Sequence, residues 1–207
     1  MYKHRLTTPD WLCHPANISP NLVPALSKEL FTLYHHAAYE NKLLNKPGDL
    51  FVRESKEMFN KICPTVMGVL EQLMIQQFFL HFVFIVSHKY TDDSFSVIHV
   101  DNNSDFGLNI PVYNCQDSCT VWYDSTPTGQ NVSAEYHLNY DIEVNPLLCQ
   151  DDAKEIGRCD ANVPHWINVN IPHRPMIMHD KLRINASLRF DDRLLIDKQL
   201  PYWVYKK

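Results

Sequence analysis

The stretch "LRINASLRF", Leu182 to Phe190, alternates apolar and polar side chains without a break. On an extended strand Leu182, Ile184, Ala186, Leu188 and Phe190 project from one face, and Arg183, Asn185, Ser187 and Arg189 from the other. The apolar face asks for a core. The polar face, carrying two guanidinium groups, asks for water or an anion. If that face looks into the mouth of a barrel, its expected partner is a carboxylate, which arginine grips with two parallel hydrogen bonds.

Working upstream, "HWINVNIPHRPMIMHDK" reads as a strand around Val169, a break at Pro172, a second strand from His173 and a turn near His179 to Lys181. The strand returning from that turn carries Arg183. The same signal recurs back to residue 76 in "QFFLHFVFIVSH", "FSVIHVD", "GLNIPVYN", "CTVWYDS" and "AEYHLNYDIEV", short apolar or alternating runs divided by Asn, Asp, Ser, Gly and Pro clusters. Before residue 76 the period changes. Asn21–Leu44 and Asp49–Ile75 place apolar residues three and four apart, as amphipathic helices do, with Pro64 interrupting the second.

Strands do not alternate with helices after residue 76, which argues against a doubly wound α/β fold. The expected fold is mainly β with N-terminal helices, an antiparallel double-sheet roll of jelly-roll or cupin-like type. It forms a single domain over 1–207, with residues 1–75 a helical support region and 76–207 the β core. The stretches Asp124–Ser133 and Asn145–Pro164 read as loops, where specificity would reside.

Within "SFSVIHVDNNSDFGLNIP", Ser94 to Pro111, a strand ends on His99 and Asp101. Residues two apart on a strand share a face, so this imidazole and carboxylate point the same way. With 11 His and 24 Asp plus Glu in 207 residues, about one His-x-Asp or His-x-Glu pair arises by accident, so context must decide. Read alone, Asp101 also suits a turn cap and His99 a core imidazole. What raises the pair is the later "PHRPMIMHDKLR", which supplies a further imidazole and an arginine on a neighbouring hairpin.

Composition sets the outer bounds. The chain is 45% hydrophobic and 21% charged, ordinary for a globular core, and its net charge of −5 gives no general attraction to nucleic acid. The first twenty residues contain no apolar segment of signal-peptide type, and "FFLHFVFIV" at Phe78 to Val86 is far shorter than the roughly 20 residues of a membrane helix. A cytoplasmic protein, neither membrane-bound nor nucleic-acid-binding, is expected. Of the six cysteines none makes a CxxC pair, so reduced thiols are expected; Cys115, Cys119 and His137 match no usual structural-zinc spacing.

Taken together, His99 and Asp101, a distal His173 seventy-four residues on, and Arg183 ten beyond it resemble the iron(II)- and 2-oxoglutarate-dependent oxygenases. More narrowly, "IHVDNNSDFGLNIPVYNCQDSCTVWY" with "NVNIPHRPMIMHDKLRINASLRF" is similar to phage and bacterial oxygenases related to the aspartyl/asparaginyl and prolyl hydroxylases. The resemblance covers roughly residues 76 to 192. It implies a double-stranded β-helix with Fe(II) held by His99, Asp101 and His173. It further implies 2-oxoglutarate as cosubstrate, anchored by Arg183, and a dioxygenase that hydroxylates an unidentified peptide side chain, amino acid or small metabolite with release of succinate and CO2. Asn109 in "LNIP" and Tyr123 in "VWYD", at expected inward-facing strand positions, are candidates to reach the cosubstrate, with packing and local hydrogen bonding as the other reading of each. His179 and Arg189 repeat the same ten-residue spacing and are rivals for the third-ligand and anchor roles. Two departures stand out: Leu108 occupies the place of a second arginine of the aspartyl/asparaginyl type, and Asn185 that of a serine two after the anchor. The alternative from another class is a non-enzymatic cupin-like roll, acting in binding or assembly, with a vestigial metal pocket.

Overall fold

The structure, a computed structural model, describes residues 12–42, 44, 48–73, 79–87, 97–101, 106–131, 137–138, 147–150 and 153–189. Most of the expected run 134–144, and residues 43, 74–75, 77–78, 88, 95–96 and 190–192 of the others, lie outside the described residues. The helices are α1 (Val23–Glu40), α2 (Lys56–Ile62) and α3 (Pro64–Gln72). The strands are β1 (Cys13–Pro15), β2 (Gly48–Ser55), β3 (Phe79–Ser87), β4 (His99–Val100), β5 (Phe106–Tyr113), β6 (Ser118–Asp124), β7 (Pro127–Asn131), β8 (His137–Leu138), β9 (Leu147–Cys149), β10 (Lys154–Asp160), β11 (His165–Asn168), β12 (His173–Ile177) and β13 (Arg183–Arg189).

The fold is mainly β. Among the described residues one sheet runs β1-β11-β5-β13-β3-β2-β8 and the other β10-β6-β12-β4-β9-β7. Pairing is antiparallel except between β2 and β8. From β3 onward the chain steps between sheets: β3, β5, β11 and β13 belong to the first, and β4, β6, β10 and β12 to the second.

Period and parity explain the layers. In α1 the buried residues Leu26, Leu30, Leu33, Tyr34 and Ala38 form one apolar stripe. That stripe and α3 cover the outer face of the first sheet, where Phe106, Leu108 and Ile110 of β5 meet Ile184, Ala186 and Leu188 of β13 and Phe84 and Val86 of β3. The opposite parity of these strands therefore faces the second sheet. There Trp122, fully buried, packs with Leu12, Cys13, Cys159, Ile167 and Val169, and its Nε1 donates to the Asn168 carbonyl at 2.8 Å. Cys13 and Cys159 stand on the edge strands β1 and β10, and the neighbouring Cys13 thiol, together with burial, pushes the Cys159 thiol far up. On the outer face of the second sheet Ile98, Val100, Cys119, Val121, Tyr123 and Cys149 make a third cluster.

Several expectations change. Residues 49–55, read as the start of a helix, belong to β2, and Ser55 caps α2 by accepting from the Met58 N–H at 3.2 Å. The stretches read as specificity loops contain β7, β9 and β10. The N-terminal region thus combines helices with β1 and β2, both paired into the first sheet. All six cysteines are buried and free. Cys115 Sγ donates to the Ile184 carbonyl at 3.1 Å, whereas the His137 side chain lies outside the described residues. No described helix is long and apolar enough to cross a membrane.

Pro64 divides the second helical region as expected: α2 ends at Ile62 and α3 begins at Pro64, whose missing N–H costs nothing in a first turn. The next two N–H groups, of Thr65 and Val66, donate to the two carboxylate oxygens of Glu29 on α1, each at 3.0 Å. One side chain thereby ties the helical layer together. Burial, with Glu29 adding to it, pushes the neighbouring Cys63 thiol up to about 12. Replacement Glu29→Ala should destabilise the protein by about 1–3 kcal/mol, the cost of leaving charge-assisted bonds unmade, read as a lower urea midpoint at unchanged slope.

Candidate metal centre

The centre forms where β4 meets β12. His99 pairs with His173 across these strands, so both imidazoles share the inner face, their ring centroids 4.6 Å apart. Ile98 and Val100 alternate with His99 and point into the outer cluster, which fixes the parity that turns Asp101 inward as well. The Asp101 N–H donates to the Val169 carbonyl at 2.9 Å, anchoring the strand end beside the link from β11 to β12. Ligand atoms of His99, Asp101 and His173 all lie within 4.8 Å of one another, and the group could hold a metal ion.

Each histidine is prepared for that task by its own backbone. His99 Nδ1 donates to the Val97 carbonyl at 3.0 Å and His173 Nδ1 to the Ile171 carbonyl at 2.9 Å, so the carbonyls select the tautomer in which Nε2 carries the lone pair. Burial, reinforced by His99, lowers the His173 pKa to about 3, which keeps its Nε2 unprotonated at neutral pH. His99 Nε2 stands 3.5 Å from Asp101 Oδ1, and the other oxygen, Oδ2, accepts from Arg189 Nη2 at 2.7 Å. The side chains of His99 and Asp101 keep 21% and 14% of their exposure, so the centre has an opening to solvent. Two neutral imidazoles and one carboxylate fit a divalent first-row ion and leave further coordination positions available.

The polar row of β13 runs from this centre into the interior. The alternation appears as expected, with Arg183, Asn185 and Ser187 at most 1% exposed and turned towards the second sheet. Arg183 crosses to that sheet, where its Nε donates to Ser118 Oγ at 3.0 Å. Its Nη1 has no hydrogen-bond partner, and neither has the Oδ1 of Asn185 two positions on. Among the described residues no carboxylate pairs with Arg183. An unmatched guanidinium edge beside an unmatched acceptor, both buried, suits a ligand carrying an anionic oxygen and a donor or a bridging water.

The other expected residues divide. Asn109 lies on the same inner face, opposite Ser187, whose hydroxyl donates to its Oδ1. Tyr123 does not face the centre. It takes the parity of Cys119 and Val121 on the outer face, where its hydroxyl accepts from Arg174 Nε at 2.9 Å and the Arg174 guanidinium lies 5.1 Å from its ring centroid. Its neighbour Trp122 is the inward residue, paired with His173. Every residue of "SCTVWY" is buried, so polarity gives no clue to the parity of this strand. Of the rivals, His179 is spent structurally, its Nε2 donating to the Asn114 carbonyl at 3.0 Å, and it is not among the three clustered groups. Arg189 reaches Asp101 and Ser187, a role its shared face with Arg183 could have signalled. Ser118 and Gly107, both in contact with these arginines, carry no signal in the sequence.

Compared with known proteins, the chain matches no family model and no curated protein sequence.

The lowered His173 pKa carries a stability consequence. Unfolded, the imidazole takes up its proton near 6.5; folded, only near 3, so between these values the unfolded chain holds more protons and stability falls as pH falls. Above 6.5 neither state is protonated and the contribution vanishes. His165, whose pKa burial also lowers, adds with the same sign. Urea unfolding from pH 7 to 4 should show this decline, and His173→Gln should flatten it by up to about one proton.

Proposed function

We propose that the protein is an iron(II)- and 2-oxoglutarate-dependent dioxygenase built on a double-stranded β-helix. The stepping of β3, β4, β5, β6, β10, β11, β12 and β13 between two facing sheets supports the jelly-roll reading. The observation that carries the function is Arg183: a guanidinium 1% exposed, bonded to one neutral hydroxyl, with a free Nη1. A buried charge without a counter-charge is costly, and an anionic ligand removes that cost.

The residues divide the work. His99, Asp101 and His173 would hold iron(II) at the solvent-facing end, two neutral donors and one anionic, leaving the ion cationic and short of ligands. Arg183 would hold the distal carboxylate of a short dicarboxylic acid. Ser118, which orients Arg183, pairs with Ile177, four residues along β12 from His173 and so about 13 Å of strand away. Asn185, with its unpartnered Oδ1, shares the strand face of Arg183 two residues on. Trp122, opposite His173 and fully buried, closes the inner wall and excludes water. When bound, iron(II) and 2-oxoglutarate supply dioxygen activation and oxidative decarboxylation to succinate and CO2, coupled to hydroxylation of a substrate. The residues bind, orient and shield.

Protein purified anaerobically with Fe(II) should release succinate from 2-oxoglutarate when oxygen is admitted, without a prime substrate. His99→Ala should abolish iron binding and turnover. Arg183→Met should keep iron binding but raise the half-saturating 2-oxoglutarate concentration by about 30-fold or more, the loss from truncating one side of a buried charge pair. Wild-type protein that neither binds iron nor releases succinate would overturn the proposal and favour a non-catalytic binding or assembly role.

A further inference from the structure

Asp101 has two oxygens, and the fold treats them differently. Oδ1 faces the histidine nitrogens, 3.5 Å from His99 Nε2, while Oδ2 accepts from Arg189 Nη2 at 2.7 Å. The guanidinium is itself held. Its Nη1 donates to Ser187 Oγ at 2.7 Å, and Ser187 in turn donates to Asn109 Oδ1, a directed chain from β13 into β5. The guanidinium also occupies the space that a side chain at residue 107 would need. A Cβ built on Gly107, opposite Arg189 in the register, would overlap Arg189 Nη1 and sit 3.1 Å from Ser187 Oγ and 3.3 Å from the Leu188 carbonyl oxygen. The absence of a side chain at Gly107 is the seat that lets Arg189 reach Asp101.

From this geometry we infer that Arg189 is a positioning residue that restrains Asp101 to one-oxygen coordination, and that Gly107 sets its position. The inference rests on the metal-centre reading. Carboxylates bind ions through one oxygen or both. A second bond from Asp101 would occupy a position that a cosubstrate or dioxygen needs. A charge-assisted hydrogen bond on Oδ2 competes with that second bond and aims Oδ1 at the space between the imidazoles. Arginine suits the task because its planar fork serves Asp101 and Ser187 together, whereas a lysine ammonium offers a single point of attachment.

The probe is Co(II), titrated into apoprotein under argon and followed by its visible absorption bands, which report coordination number independently of turnover. Arg189→Met should weaken Co(II) binding by about 10–100-fold, as loss of an outer-shell partner does, and alter the band pattern. Arg189→Lys should recover part of the affinity. Gly107→Ala keeps every charge but displaces the guanidinium, so it should change the spectrum in the same direction as Arg189→Met. Circular dichroism and thermal melting identify folded variants. If folded Arg189→Met and Gly107→Ala bind Co(II) with wild-type affinity and spectrum, the inference fails while the metal centre stands. If the wild type binds no Co(II), both fall.

Discussion

The burial of a positive charge at Arg183, in the middle of the first sheet, is the constraint on which the rest of the interior turns. β13 lies between β5 and β3, so neither of its faces can reach water by moving to an edge. One face meets the helical layer, and the other must place its polar groups between the sheets. The turn from β5 to β6 answers this need. Asn114 and Asp117 take left-handed backbone conformations there, with φ of 48° and 53°, which asparagine and aspartate tolerate better than most residues. Asn114 Nδ2 donates to the Leu182 carbonyl at 2.9 Å, and the Met178 N–H donates to the Asp117 carbonyl at 3.0 Å. That turn is thereby locked to the turn preceding Arg183, and Ser118 is delivered to its Nε.

The row from Arg183 to Arg189 has a gradient of satisfaction. At the solvent-facing end Arg189 is matched by Asp101 and Ser187; in the middle Ser187 and Asn109 match each other; at the deep end Arg183 and Asn185 retain unmatched atoms. Buried polar groups in a stable domain are usually paired. Among the described residues the unmatched atoms lie at one end of one strand, which separates a structural stretch of the row from a stretch suited to a ligand.

Much of this was legible in the sequence because it depends on a period of two. The alternation in "LRINASLRF" specified both faces of β13, and the His-x-Asp pair specified its own parity through Ile98 and Val100. The turn near His179 to Lys181 placed Arg183 on the strand after His173, though spacing could not decide between His173 and His179; in the structure His173 is the one clustered with His99 and Asp101, while His179 bonds the Asn114 carbonyl. Period also misled. "DLFVRES" pairs with β3, but its apolar residues Leu50, Phe51 and Val52 are consecutive and show no period of two, and its continuity with α2 and α3 made it read as helix. Tyr123 was misplaced because an all-buried strand gives no polarity by which to tell its faces. β7 and β10 are rich in polar residues and β9 is only three residues long, so only pairing with neighbours defines them as strands. The Arg189–Asp101 pair joins residues 88 positions apart, and spacing along the chain carries no information about such a contact.

The two-residue length of β4 has a consequence for motion. His99 and Asp101, two of the three candidate ligands, depend on a strand whose ladder involves His173 on one side and Leu147 and Leu148 on the other. Segments held by so few backbone bonds open with free energies well below that of global unfolding. His173, by contrast, belongs to a strand paired along its whole length with β6. A metal ion bridging the two would act as a fastener between a weakly and a strongly held strand, so its binding energy would appear chiefly as slowed amide exchange around residues 97–101.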